Sequence, residues 1–265
     1  SPEADYGVFY IDALTYQPMC GAGTLSVAKV LVETGMVKRV EPETKIVLET
    51  PTGLVTVYVK WENHTVASIN LENVPAFLYR KDLHIDLAGY GDVSVDIGYG
   101  GNFFVLADVH SLGLTITKDT VNLLRSLSKD ILAAANKVIK VAHPTNPAIN
   151  YLDQVLFCQN VPEEDGGYLA QCIFGDAQAD ISPCGTGTST RLAQRYFRGL
   201  IGLEETFVQK SVCGGAFHAK GLRETTLGGV PAIVPYVSCS DVHITGFNHL
   251  IVEENDKLKN GFVSW

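Results

Sequence analysis

One pentapeptide pattern occurs twice in the chain and frames any fold it can adopt. Cys20-Gly21-Ala22-Gly23-Thr24 and Cys184-Gly185-Thr186-Gly187-Thr188 share the form Cys-Gly-x-Gly-Thr, 164 positions apart (184 − 20). That spacing is too long for one local motif and suits one copy per domain. Each copy ends a polar, turn-like stretch and opens a segment with helical character. The frame is therefore two helix starts, each headed by a thiol. Unpaired backbone N–H groups and the macrodipole at a helix start favour a thiolate. Both thiols are thus expected to be acidified.

Composition narrows what such a frame can serve. With 265 residues, 46% of them apolar, the chain can bury the core of one large domain or two smaller ones. A formal net charge of −9 argues against nucleic acid or an anionic membrane surface as partners. No apolar run approaches the roughly 20 residues of a membrane span. The six cysteines, Cys20, Cys158, Cys172, Cys184, Cys213 and Cys239, form no Cys-x-x-Cys cluster of the zinc-finger or thioredoxin kind. A chain of this size needs no disulfide staples. The first five residues lack the basic start and apolar centre of a secretory signal. The expectation is a reduced, cytoplasmic protein. Cys158, Cys172, Cys213 and Cys239 sit in apolar or strand-like contexts and read as core residues. His84, His110, His143, His218, His243 and His249 are scattered without metal spacing, so no metal site is expected.

Periodicity predicts a strand over residues 6–12, met without any lead-in, as though the chain enters a domain partway. A helix follows over 24–34, apolar on most sides and therefore expected to be buried, with Gly35 as its C′ residue. Two strands lie within 45–59 around Pro51-Thr52-Gly53, and further strands within 67–77, 93–97 and 103–109. Residues 118–142 carry the longest helical pattern, ended by Pro144 and Pro147. Strands over 155–158 and 168–174 precede an amphipathic helix over 191–199, where Leu192, Ala193, Tyr196 and Phe197 oppose Gln194, Arg195 and Arg198. The remainder is strand-rich, with Gly214-Gly215, Gly228-Gly229 and Gly246 as breaks. The pattern is α+β. It divides into a first domain at 1–92, joined by 247–265, and a second at 93–246.

The paired motif points to a specific chemistry. Taking the α-proton from an amino acid requires stabilisation of the carbanion as it forms. N–H groups of residues 21–24 and 185–188 could receive the substrate carboxylate from two helix starts, and glycine lets the backbone come close. One thiolate would take the proton and one thiol would return a proton to the opposite face. A free thiol titrates near about 8.5, and a close pair titrates as a pair. A lone Cys-Gly turn is most often a buried cysteine; two matched copies weaken that reading. A phosphate cradle at 185–188 lacks the Gly-x-x-x-x-Gly-Lys pattern. Cys-His acyl transfer has no motif that sets a histidine beside either cysteine. Asp176 and Asp180, just before the second copy, suit either a substrate ammonium or a turn cap.

Residues Asp180-Ile181-Ser182-Pro183-Cys184-Gly185-Thr186-Gly187-Thr188-Ser189 closely resemble the second active-site signature of the proline racemase family, and Met19-Cys20-Gly21-Ala22-Gly23-Thr24 resembles the first. Val32-Glu33-Thr34-Gly35, Glu49-Thr50-Pro51-Thr52-Gly53, Tyr99-Gly100-Gly101-Asn102-Phe103-Phe104 and Ile244-Thr245-Gly246-Phe247-Asn248-His249 agree with it, from about residue 4 to 262. The resemblance implies a fold similar to diaminopimelate epimerase, two pseudo-symmetric domains with the active site in the cleft between them. It implies a cofactor-independent, homodimeric enzyme acting on proline or hydroxyproline. In that reading Cys20 and Cys184 are the acid/base pair. Gly21, Gly185 and Thr186 bind the carboxylate, Asp180 meets the ring nitrogen and Phe174 packs near the ring. Ala22 departs from the pattern, since the family usually carries a histidine there to help hold the nitrogen. Members also carry a further N-terminal segment. Two other readings follow. One branch of the family dehydrates trans-3-hydroxyproline and typically has threonine in place of the second cysteine, so Cys184 speaks against it. A non-catalytic amino-acid-binding relative would accommodate Ala22.

Overall fold

A computed structural model describes residues 1–12, 16–161, 167–248 and 251–260. In chain order its elements are β1 (Tyr6–Gly7), β2 (Tyr10–Ile11), β3 (Tyr16–Gln17), α1 (Gly21–Glu33), β4 (Glu43–Thr50), β5 (Gly53–Glu62), β6 (Thr65–Glu72), β7 (Phe77–Leu87), β8 (Gly91–Tyr99) and β9 (Phe103–Asp108). After a 3-10 turn come α2 (Val121–Val138), β10 (Gln154–Asn160), β11 (Gly167–Phe174), β12 (Gln178–Ala179), α3 (Gly185–Phe197), β13 (Phe207–Ser211), β14 (Ala216–Leu227) and β15 (Val230–Cys239). The class is α+β, as expected, with sheet dominant and few helices.

One sheet runs β1-β4-β5-β6-β15-β14-β13-β11-β10-β9-β8-β7, with β12 attached to β11. Its far end returns on itself. Just before β7, Ala76 exchanges two backbone hydrogen bonds with Ile233 of β15, at 2.8 and 2.9 Å. Strands β7 to β11 and β13 to β15 thereby close into a ring. Helix α3 packs against β7, β8, β9, β14 and β15, and every residue from Gly185 to Gln194 is buried. A helix buried on all sides lies inside such a ring, not on it. Helix α2 is different: Leu124, Leu127, Ser128, Ile131, Ala134 and Ala135 form one buried stripe at helical spacing, so it covers the outer face. Helix α1 packs on β5 and β6 through Leu25, Ala28, Leu31 and Val32.

Several expectations are corrected by this arrangement. The strand expected over 6–12 is two short pieces, the first pairing parallel with β4 (Tyr6 opposite Leu48). Strand β7 was not anticipated. Its bulges at Leu78–Arg80 and Arg80–Leu83, with Asp82 at φ 49°, break the period-two alternation that would reveal it. The helix expected to be amphipathic from Arg191 starts at Gly185 and is enclosed. The helix expected to be buried on most sides shows a single buried face. Both begin earlier than periodicity shows, because Gly and Thr are weak helix formers. The expected division between residues 92 and 93 falls inside β8, which is paired with β7 along its length. Of 247–265, residues 249–250 and 261–265 lie outside the described residues; 251–260 contain turns and no strand.

Candidate active site

Each motif cysteine is the N-cap of its helix. Cys20 Sγ accepts the Gly23 N–H at 3.3 Å, and Cys184 Sγ accepts the Gly187 N–H at 3.3 Å. The first helical turns close in parallel fashion, Thr24 N–H to Cys20 O at 2.9 Å and Thr188 N–H to Cys184 O at 2.7 Å. Sulfur occupies the position usually held by a Ser, Thr or Asp oxygen. The two helix starts abut. A Cβ on Gly21 would stand 2.6 Å from Gly185 Cα, and one on Gly185 would stand 2.7 Å from Gly21 Cα. Only glycine permits backbone to meet backbone at this distance. Asn102 ties the two starts together, donating to Met19 O at 2.7 Å and to Thr186 Oγ1 at 3.4 Å.

A cavity of about 140 Å³ opens at this junction. Cys20, Gly21, Ala22, Phe174, Asp180, Cys184, Gly185 and Thr186 all line it. These eight candidates from sequence are therefore in one place, from both halves of the chain. The volume is well under the roughly 300–1,000 Å³ of drug-sized ligand sites and suits a small amino acid. Ala22 and Asp180 also line a neighbouring hollow of about 400 Å³ that includes Phe217 and His243.

Gln17, Met19, Asn102, Gln154 and Cys172 line the cavity too and escaped the sequence reading. Cys172 was recoverable: it lies two residues before Phe174 on β11 and so shares its face of the strand. Gln17 and Gln154, joined at 2.9 Å, lie 137 positions apart with no local signal. Of the cysteines expected in the core, Cys158 and Cys239 are buried, Cys172 is buried beside the cavity, and Cys213 is exposed in the turn between β13 and β14. Asp176 stands outside, exposed and paired with Lys129 at 2.8 Å.

The electrostatics overturn one expectation. Burial pushes the Cys20 thiol up to about 11. The Gly23 and Ala22 N–H groups pull it down, while the nearby charges of Cys184 and Asp180 push it further up. Desolvation of a small anion in a narrow cavity outweighs the helix start. Burial likewise raises the Asp180 carboxyl above the usual carboxylate range, against the pull of the Ser182 N–H it accepts at 2.8 Å. Asp180 thus caps its turn and faces the cavity at once. The Cys172 thiol is raised by its hydrogen bond to Cys184 and then by burial. Sulfurs of Cys172 and Cys184 and a carboxylate oxygen of Asp180 lie within 4.8 Å of one another.

Comparison with known proteins gives matches over nearly the whole chain. The proline racemase family model matches residues 1–263. The chain is 39% identical to a proline racemase of Acetoanaerobium sticklandii, over 98% of this chain and 78% of that protein. It is 37% identical to a trans-3-hydroxy-L-proline dehydratase of Burkholderia cenocepacia, over 99% and 78%. A crystal structure of a hydroxyproline epimerase from Agrobacterium vitis with bound trans-4-hydroxy-L-proline superposes with a TM-score of 0.87 at 30% identity, covering 97% of this chain and 74% of that one.

Proposed function

The chain belongs to the proline racemase family, and on that premise we propose that it inverts the α-carbon of proline or 4-hydroxyproline with Cys20 and Cys184 as the two bases. The observation that carries the proposal is the convergence of both thiols, each capping one of two abutting helices, on a single small cavity. The substrate carboxylate docks on the N–H groups of the two helix starts, from Gly21 and from Gly185 and Thr186. Its α-carbon then sits between the sulfurs. With its thiol raised to about 11, Cys20 is the protonated member of the resting pair. Cys184 takes the α-proton as thiolate, and Cys20 delivers its proton to the opposite face. The next turnover runs in reverse. The pair thus carries one proton between its two sulfurs, and substrate leaves with its configuration changed and no atoms gained or lost.

Charge developing on the carboxylate is met by the same N–H donors, already aimed and desolvated. That supplies the electron sink a cofactor would otherwise provide, so the reaction is proposed to be cofactor-independent. Asp180 receives the ring ammonium, and Phe174 packs on the ring. A homodimeric, cytoplasmic enzyme belongs to the same proposal and rests on family membership alone.

Among relatives at similar identity is a trans-3-hydroxyproline dehydratase; Cys184, where that branch typically has threonine, favours epimerisation. The test is incubation with proline, trans-4-hydroxyproline and trans-3-hydroxyproline in deuterated water. Deuterium should enter the α-position of proline or 4-hydroxyproline and be lost with Cys20→Ser and with Cys184→Ser. A cyclic imine from trans-3-hydroxyproline without exchange into the other two would overturn the proposal. So would substrate binding with no exchange at all.

A further inference from the structure

The racemase reading leaves one buried group beside the cavity unused. Cys172 faces the same hollow as Cys184 and Asp180 and adds a second thiol to that wall. The three donor atoms lie within 4.8 Å of one another, so a common point exists no more than about 2.8 Å from each (4.8/√3). Zinc takes thiolate sulfur at about 2.3 Å and carboxylate oxygen at about 2.0–2.2 Å. Side-chain movements of well under 1 Å close that gap, an adjustment within ordinary rotamer freedom. Two thiols and a carboxylate match a soft, borderline divalent ion and not calcium or magnesium, which select oxygen.

We propose that Cys172, Asp180 and Cys184 form a three-ligand site for zinc or a chemically similar soft divalent ion. The fourth tetrahedral position faces the cavity. Binding replaces the thiol proton of Cys172 with a sulfur–metal bond and releases it to solvent, while Cys184 binds as the thiolate of the resting pair. Asp180 adds its carboxylate, and the buried charge of the three anions is offset by the cation. Nothing is oxidised or reduced. The Gly187 N–H, already on Cys184 Sγ at 3.3 Å, orients that sulfur from outside the cluster, as partners around a metal site do. If Cys184 and Asp180 are the substrate-binding groups proposed above, the metal and the amino acid exclude one another, and zinc is a reversible, competitive inhibitor.

The experiment uses the full chain with Cys213→Ser, which removes the exposed thiol, and titrates Cd²⁺ in the absence of oxygen. A sulfur-to-cadmium charge-transfer band should saturate at one equivalent, with release of the Cys172 thiol proton. Cys172→Ser, checked for folding by thermal melt, should weaken the affinity on the order of a hundredfold, since loss of a direct ligand exceeds the 10- to 100-fold of an outer partner. An independent measurement needs no change at Cys172: bound Zn²⁺ should protect Cys172 and Cys184, and not Cys20, from alkylation read by mass spectrometry. No band at one equivalent, a folded Cys172→Ser with unchanged affinity, or protection confined to Cys20 would each overturn the site. Competitive inhibition of proline exchange is read separately. A metal that binds without inhibiting would refute the blocking role and leave the site standing. An enzyme with no exchange activity would sink the racemase reading and leave the cadmium result intact.

Discussion

The two Cys-Gly-x-Gly-Thr segments open helices of equal length, 13 residues each, yet the helices live in different surroundings. Helix α1 lies on β5 and β6 with one face buried, and its thiol is partly buried. Helix α3 is enclosed by strands, and its thiol is buried. The backbones differ as well. Cys20 is extended at φ −136°, whereas Cys184 sits at φ 62°, ψ 102°. What they share is confined to the first turn: the sulfur cap, the helix starts in contact, the common cavity. Geometry is therefore alike where chemistry needs two equivalent faces of one carbon, and unlike where each helix must meet its own half of the fold.

The strongest way to break this picture is at the shared turn. Gly21→Ala and Gly185→Ala each drive a methyl into the other helix start, at 2.6 and 2.7 Å from backbone carbon. Neither backbone can yield without separating the two thiols. A misplacement near 1 Å costs about a hundredfold in rate, and overpacking of this kind destabilises by about 1–3 kcal/mol. Both variants should lose α-hydrogen exchange by at least that factor, and by similar amounts, because the contact is reciprocal. Exchange retained in one and lost in the other would show that the halves are not equivalent at the junction.

Away from the junction the helices should respond differently. Helix α3 is anchored to the strand ring by Asp96 of β8, which accepts from Gln194 at 2.6 Å and from Arg198 at 2.6 and 2.8 Å. Burial alone would raise this carboxyl; the Arg198 and Gln194 bonds and the Asp82 N–H more than offset it and hold it below the usual range. Breaking a buried pair costs about 3–5 kcal/mol. Arg198 is 30% exposed and keeps Asp82, so Asp96→Asn should cost somewhat less, about 2–3 kcal/mol. Because the folded pKa is depressed, this stability is present above the unfolded value of about 3.9 and lost as pH falls below it. Urea unfolding at pH 7 and near pH 3 should show the gap between parent and variant narrowing on acidification. On α1 the comparable ion pair, Lys29–Glu33 at 3.0 Å, is an i,i+4 pair within the helix and anchors it to no strand; removing it should cost no more than about 0.5 kcal/mol. Equal effects at the two sites would contradict the difference in enclosure.

These unlike surroundings explain what could be read from the chain beforehand. The repeated motif carried most of the site: Cys20, Gly21, Ala22, Cys184, Gly185 and Thr186 line one cavity, joined by Asp180, read from its place before the second copy, and by Phe174, which came from the family resemblance. The α+β class followed from alternating strands and punctuating glycines. The environment of each helix did not follow, and the two readings were in effect exchanged. Leu25, Val27, Ala28, Val30, Leu31 and Val32 look like an enclosed helix, yet α1 has one covered face. Thr186, Thr188, Ser189, Thr190, Arg191 and Gln194 look like a wet surface, yet all are buried. Their polar atoms are satisfied inside the ring, Thr190 Oγ1 on Thr186 O at 2.8 Å, Ser189 Oγ on Gly185 O at 3.0 Å, and Gln209 Nε2 on Thr188 Oγ1 at 2.9 Å. Hydropathy cannot register partners that lie 20 or 100 positions away. The acidity of Cys20 was misread for a related reason: a helix start is local and visible, while desolvation depends on walls brought from the other half.

The smallest effect tests the backbone difference itself. At φ 62°, ψ 102°, Cys184 occupies a region that side chains with a Cβ avoid and glycine accepts. Such a conformation costs on the order of 1–3 kcal/mol. Cys20 is in ordinary extended backbone, where glycine only adds freedom to the unfolded chain. Alanine is the proper reference at both positions, because alanine and glycine alike remove the sulfur cap. Cys184→Gly should therefore be more stable than Cys184→Ala by about 1 kcal/mol, and Cys20→Gly less stable than Cys20→Ala by about 0.5–1 kcal/mol. Urea unfolding of the four variants reads this directly, since unfolding does not depend on turnover. Opposite signs would mean that the second thiol is held in place against its own backbone preference and the first is not. The same sign at both positions would erase that distinction and leave the two motif copies conformationally alike.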